Sequence, residues 1–328
     1  HFQYNSAATY MLSAILQSVT GERLVDYLDK RLFRPLMIQK PDWDLSPEGI
    51  NTGGWGLRIT TEDIAKLGQL YLQKGIWQGE RILSEAWVQE ATSKQTSNGS
   101  NPDNDWDQGY GYQFWRCRND CYRGDGAFGQ FCIVIPEHDA VVAVTSGTSD
   151  MGGVMQVIWD TLLPAMASDP LEADPAATRA LALKLNALNL PLVQGEPRSP
   201  LSGKLAQRTF QVFENEAGVH SVSFDLHDDD HRITVKMDHG IETLRLGQGS
   251  HISSELNRRL PYTQQMRRNI GASGAWIKPD EYQAKLYFTQ SPASIIYTFR
   301  FENNRMSWAS EVRHSLLGSK NLATLQGE

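Results

Sequence analysis

The chain is short of several things, and each shortage closes a class of function. Basic residues do not dominate: 31 Lys and Arg stand against 38 Asp and Glu, a net charge of −7. A generic nucleic-acid binder carries a basic face, so that class is set aside. No apolar run reaches the ~18 residues that a membrane span requires. Low-complexity tracts and internal repeats are missing, which excludes solenoids. Cysteines number three in 328 residues. Cys117, Cys121 and Cys132 lie near one hairpin, where one disulfide and a leftover thiol, or three buried free thiols, both fit. No histidine lies among them, and a zinc site needs about four ligands, so no metal or other cofactor is expected.

What is present suits a packed core. Hydrophobic residues make up 40% of the chain, with nine tryptophans and eleven tyrosines, and the length suits about two domains. A first helix is expected after Tyr4. Asn5 or Ser6 supplies the cap, Tyr10, Leu12, Ile15, Leu16 and Val19 recur at helical spacing, and Gly21 stops it. A second helix follows over 22–33, closed by Pro35. Residues 41–57 read as a loop in which Trp43 and Trp55 serve packing before substrate. Thr60 and Asp63 make a capping box, with Asp in the usual Glu place. Ser84 caps a short helix through Ala91. Residues 92–107 are polar and read as a surface loop.

Strands are expected over 109–117, over 128–135 as its partner, and over 140–145, with Pro136-Glu-His-Asp139 as a turn in which His138 is an ordinary turn residue. The last strand is continuously apolar, as in a strand buried on both faces. A helix follows over 151–166. This gives an α/β (α+β) layer of antiparallel sheet with packed helices over 1–167. A proline-bearing acidic join begins at Ala167, and 168–200 is a linker with a helix over 177–188. Residues 201–328 change texture. Short strands are expected over 209–214, 219–226, 233–237, 241–246, 283–288, 295–301 and 306–312. They form an antiparallel β-barrel or sandwich, with hairpin ends at 228–230 and 302–304. His227-Asp-Asp-Asp-His231 reads as a solvated turn before a metal site.

One ordered set of motifs carries chemistry. Phe2-x-Tyr4-Asn5-Ser6, Leu32-Phe33-Arg34-Pro35-Leu36, Gly53-Gly54-Trp55-Gly56-Leu57, Thr60-Thr61-Glu62-Asp63 and Gly126-Ala127-Phe128-Gly129-Gln130 together resemble the beta-lactamase-related serine hydrolases. That family includes class C beta-lactamases, D-Ala-D-Ala carboxypeptidases, related esterases and nylon-oligomer hydrolases. The resemblance covers residues 1–167 and implies a beta-lactamase/transpeptidase-like fold. It also implies an acyl-enzyme mechanism on small ester or amide substrates, lactams and D-amino-acid peptides among them.

The family's machinery is a Ser-x-x-Lys nucleophile motif, a Tyr-x-Asn motif and a Lys/His-x-Gly strand. A tyrosine serves as the base in such a site when nearby positive charge lowers its pKa from about 10. By resemblance, Tyr4 takes this role and Ser6 stands where the family has asparagine. A hydroxyl holds an amide less well, which favours an esterase or amidase over a beta-lactamase. Without that role, Ser6 is a helix cap.

Asp125-Gly126 takes the third-motif place with Arg123 as its cation. Ala127, Gly129 and Gln130 border the oxyanion side, although Phe128 replaces the nylon-hydrolase histidine. For Gly126 and Gly129 the plain alternative is a tight bend. Ser-x-x-Lys occurs nowhere in the 328 residues, and in the family it precedes the tyrosine. The expectation is a fragment, inactive by itself, whose front part carries the nucleophile. The family habit and the cysteine cluster suggest the periplasm or the exterior. A second reading, from a different class, is a non-catalytic binding protein whose β domain holds a ligand.

Overall fold

The computed structural model describes residues 2–206, 208–226, 230–257, 267–314 and 320–328. Two compact units divide the chain, one of residues 1–171 and one formed by the described residues from 172 onward. His227, Asp228 and Asp229 of the acidic turn lie outside the described residues.

In the first unit, α1 (Ser6–Thr20) starts at Asn5, whose side chain accepts from the Ala7 and Ala8 amides. It ends on Gly21 at φ 73°. Asn5, not Ser6, is therefore the cap. The expected second helix is α2 (Leu24–Leu28), which widens into an i→i+5 turn over Asp29–Phe33. The expected loop that follows is pinned by a two-residue ladder, β1 (Asp42–Trp43) against β2 (Leu57–Arg58). Trp43 Nε1 donates to the Trp55 carbonyl at 2.8 Å, so this indole is a strut.

Helix α3 (Thr61–Leu72) carries the full capping box between Thr60 and Asp63. A small ribbon, β3 (Ile76–Trp77) with β4 (Glu80–Arg81), leads to α4 (Glu85–Thr92), capped by Ser84. A four-stranded antiparallel sheet follows in the order β5 (Trp115–Arg116), β6 (Tyr122–Gly126), β7 (Gln130–Ile135), β8 (Ala140–Val144). Helix α5 (Met151–Val157) closes the unit, continuing as a wider turn over Ile158–Leu162 and a tighter one over Leu163–Ala165. Phe131, Ile133, Ile135, Met155, Ile158 and Trp159 form one core, and Phe33, Leu36, Ile38 and Leu70 another.

Three expectations change here. The partner of β7 is β6, not the 109–117 segment, of which only two residues are strand. Strand β8 is an edge strand and half-buried throughout. It packs on α3, and among the described residues no strand pairs with its other edge. The polar 92–107 segment is not all surface, because Asp105 is buried.

In the second unit, α6 (Pro175–Asn186) has no buried residue, and a single turn, α7 (Ser202–Leu205), precedes the sheet. The strands are β9 (Thr209–Gln211), β10 (Val219–Asp225), β11 (Asp230–Met237), β12 (Gly240–Gly247), β13 (Ile252–Asn257), β14 (Arg267–Lys278), β15 (Glu281–Phe288), β16 (Ser294–Glu302), β17 (Arg305–Arg313), β18 (Lys320–Asn321) and β19 (Leu325–Gly327). They form one eleven-stranded sheet. It nearly closes: β19 pairs with β17 on one side, while Gln211 and Phe213 donate to the Glu328 and Gln326 carbonyls on the other. Closure leaves few backbone edges exposed.

The interior of this barrel is aromatic, with Phe224 packed edge-on against both Phe299 and Phe301. Toward the start of β11, the buried His231 meets the Tyr282 hydroxyl at 2.9 Å and the Gln248 amide at 2.9 Å. Strands β13 and β14 were not anticipated from the sequence.

Candidate active site

Tyr4 sits one residue before the cap of α1 and is 50% exposed. Its ring stacks on Trp115 (centroids 5.6 Å apart, planes at 27°) and meets Tyr110 edge-on at 6.4 Å. Phe2 covers Tyr110 at 4.8 Å. Such offset and edge-to-face contacts hold rings in fixed attitudes. The phenol is thus carried by a helix entrance on one side and an aromatic wall on the other.

The helix entrance is itself set by glycine. Gly53 has φ +68°, and a Cβ there would lie 2.8 Å from the Thr9 carbonyl oxygen; one on Gly54 would lie 2.9 Å from the Ser6 carbonyl oxygen. The Gly53-Gly54 loop therefore presses its backbone onto the first turns of α1, which only residues without a side chain permit. Ser6 is half-buried beneath that contact.

Behind Trp115 lies a charged pair. Arg123 is 0% exposed, with its guanidinium 5.7 Å from the Trp115 ring and 4.8 Å from the Trp106 ring. Arg123 Nε donates to Asp125 Oδ2 at 2.9 Å, and Nη1 donates to the Asp105 carbonyl at 3.1 Å and to Cys117 Sγ at 3.0 Å. Trp106 Nε1 donates to the same Asp125 oxygen at 3.0 Å. Burial outweighs the favourable Arg123 and Trp106 contacts and holds the Asp125 carboxyl above its usual value. Tyr110 is pushed up to about 12, first by burial and then by the neighbouring Tyr4 and Asp125. Tyr4 and Asp125 thus flank one tyrosine.

The rest of the third-motif stretch is a hairpin bend. Gly126 pairs with Gln130 across the loop of Ala127, Phe128 (φ 65°) and Gly129 (φ 84°). Gln130 Nε2 donates to the Ser146 carbonyl at 2.6 Å and to those of Ala127 and Phe128, and Ser146 Oγ donates to the Phe128 and Gly129 carbonyls. The Gln130 amide is spent on bracing the bend.

The structure thus gathers Tyr4 and the Arg123–Asp125 strand around one aromatic cluster. It buries Arg123 rather than presenting its charge to solvent, and gives Gly129 and Gln130 a turn-forming role. Sequence reasoning missed Asp105, Trp106, Tyr110 and Trp115. The available signal was aromatic density, since residues 106–115 hold two Trp, two Tyr and a Phe. Asp105 accepts from the Arg118 amide at 3.0 Å and from Trp159 Nε1 at 2.8 Å, which explains its burial. Among the described residues no cluster of His, Cys, Asp and Glu suits a metal ion.

The short antiparallel sheet with its packed helices is a beta-lactamase-like fold. A family model described as Beta-lactamase matches residues 1–163, and this part of the chain belongs to the beta-lactamase-related family. A curated relative, the 6-aminohexanoate-dimer hydrolase of Paenarthrobacter ureafaciens, is 28% identical over 160 residues. That match covers 45% of this chain and 40% of the relative, so the chain spans about two-fifths of the relative's length. Among solved structures, a putative 6-aminohexanoate-dimer hydrolase from Bacillus anthracis is 21% identical, with a TM-score of 0.41 over 48% of this chain and 42% of that one. The octameric penicillin-binding protein homologue from Pyrococcus abyssi is 14% identical, with a TM-score of 0.40 over 100% of this chain and 65% of that one.

Proposed function

We propose that residues 1–163 form part of a serine hydrolase that cleaves small ester or amide substrates through an acyl-enzyme. Tyr4 relays the proton, and the Ser-x-x-Lys nucleophile is supplied from outside these 328 residues. The observation that carries this reading is the position of Tyr4. In a cluster where Tyr110 and Arg123 are buried, it keeps its ring fixed by stacking and still leaves half its surface open. A relay base needs that combination of fixed geometry and access. Ser6, in the place of an amide-binding asparagine, favours ester and simple amide substrates over lactams. Asp125, Gly126 and Ala127 lie at the end of the strand that would border the reacting carbonyl.

The test uses the full gene product carrying these residues, with nitrophenyl esters and nitrocefin. Turnover abolished by a serine-directed phosphonate is expected, with ester favoured over nitrocefin. Tyr4→Phe should lower kcat by about 10²–10⁴, the usual worth of a general base, while leaving the folding transition unmoved. The 328 residues alone should give no turnover. Near-normal kcat in Tyr4→Phe would remove the relay, and phosphonate-sensitive turnover by the 328 residues would remove the external nucleophile.

A further inference from the structure

The β-barrel has an open end that the hydrolase reading does not use. A cavity of about 520 Å³ enters it between the 214–217 loop and the 322–325 segment. Small-molecule sites run from about 300 to 1,000 Å³. Its walls are core side chains: Val235, Leu244, Leu256, Tyr297 and Trp308 all line it and are all buried. A larger space of about 610 Å³ lies on the outer face of β15–β17. Its walls are mostly polar, with Gln283, Lys285, Thr298 and Glu311 among them, and Ile296 is its one buried apolar residue among the described residues.

One inward carboxylate breaks the apolar wall, beside the smaller polar side chains of Asn215, Ser310 and Thr324. Glu242 lies on the inward face of β12, in step with the buried Leu244 and Leu246 and opposite Val235 across the strand pair. Its side chain is only 12% exposed, and its carboxylate meets the exposed His239 Nε2 at 3.3 Å. An inward carboxylate among aliphatic neighbours is costly unless something offsets its charge. At the mouth, Glu214 and Glu216 add two exposed carboxylates. Walls, floor and rim together describe a receptor for an apolar body with a basic end.

We propose that this barrel mouth binds an amphiphile whose hydrocarbon part fills the cavity and whose protonated nitrogen pairs with Glu242 beneath the acidic rim. Tyr297 and Trp308, with rings 5.1 Å apart and nearly perpendicular, supply a flat apolar face and an edge. Aromatic faces also attract cations. The inference goes beyond the hydrolase reading and does not rest on it, because every residue involved lies in the second unit and the readout is binding.

The test is calorimetric titration of the whole 328-residue chain with decylamine, decanol and decanoate, each below its micelle-forming concentration. Decylamine should bind saturably at one site, at least tenfold more tightly than decanol, with decanoate weakest. Glu242→Gln should bring decylamine to within about twofold of decanol while leaving decanol unchanged. Ala217→Trp, at an exposed position of the mouth, should weaken all three. Folding of both variants is checked by circular dichroism. No saturable binding by any probe to the wild-type chain would overturn the proposal. So would undiminished decylamine preference in a folded Glu242→Gln, or decanoate binding as tightly as decylamine.

Discussion

Arg123 and Asp125, two residues apart on β6, form an ion pair at 2.9 Å in which the arginine is closed to solvent and the carboxylate nearly so. Their alternation puts both on the same face of the strand, against Trp106 and Trp115. The pair is the fixed base of the aromatic wall on which Tyr4 stacks. Removing one member strands the other. Arg123→Met should therefore destabilise the first unit by about 3–5 kcal/mol, the usual cost of an uncompensated buried charge. The double variant Arg123→Met with Asp125→Leu should lose less than Arg123→Met alone. Denaturant unfolding followed by tryptophan fluorescence reads both. A single variant within about 1 kcal/mol of wild type would show that the pair is not structural.

The cysteines give a second expectation. All three are free in the structure. Burial pushes Cys117 up to about 11 despite Arg123 beside it, and pushes Cys121 and Cys132 up to about 12. The thiolate is the reactive form, so at pH 8 these thiols should react with a disulfide reagent more slowly than a free cysteine by of order 10² or more. Denaturation without reductant should expose all three. Titrating only one thiol in the denatured, unreduced chain would demonstrate a disulfide instead.

How far the fold could be read from sequence depended on where its causes lay. The α1 and α3 boundaries were legible because their caps are local: Gly21, and the Thr60–Asp63 box. The β16–β17 hairpin was legible because Asn303 and Asn304 tolerate the positive φ they adopt. Strand β14 was not legible. Its middle runs Gly271-Ala-Ser-Gly-Ala275 and reads as loop, yet a Cβ on Gly274 would lie 2.2 Å from the Tyr282 hydroxyl oxygen. Its residues are small because Tyr282 and Trp276 already fill that part of the barrel. Strand β6 was hidden for a related reason, since Gly124 and Gly126 break its apolar alternation. At the candidate site, the sequence motif singles out Tyr4, whose exposed place before α1 follows from the local Asn5 cap. The burial of Arg123 was not legible, because two of its acceptors, the Asp105 carbonyl and Cys117 Sγ, lie outside the motif.

A third prediction concerns the join. We propose that residues up to 167 and those from about 200 fold as separate domains. Residues 167–190 are exposed throughout, and α6 buries none of its side chains. Exposed segments without tertiary support are where proteases cut. Brief treatment with subtilisin should cleave within 167–190 and leave two resistant pieces. Scattered cuts inside either piece, with the join intact, would contradict separate folding.

The last prediction separates backbone strain from contact at the loop that sets α1. Gly49 and Gly53 share the left-handed backbone, at φ +78° and +68°, but their surroundings differ. A Cβ at Gly49 meets nothing within 4 Å, whereas one at Gly53 meets the Thr9 carbonyl oxygen at 2.8 Å and Ser13 Cβ at 3.1 Å. Gly49→Ala therefore incurs only the conformational penalty, about 1–2 kcal/mol. Gly53→Ala incurs that and must also push α1 away from its loop, so a loss larger by at least about 1 kcal/mol is expected in thermal or denaturant unfolding. The displacement acts on the first turns of the helix, next to Tyr4. If that helix entrance positions the relay, then in the full gene product Gly53→Ala should lower kcat by tenfold or more, and Gly49→Ala should leave it within about twofold. A 1 Å misplacement of a reacting group costs on that order. Equal stability and equal kcat for the two variants would mean that the Gly53–helix contact sets neither the fold nor the position of Tyr4.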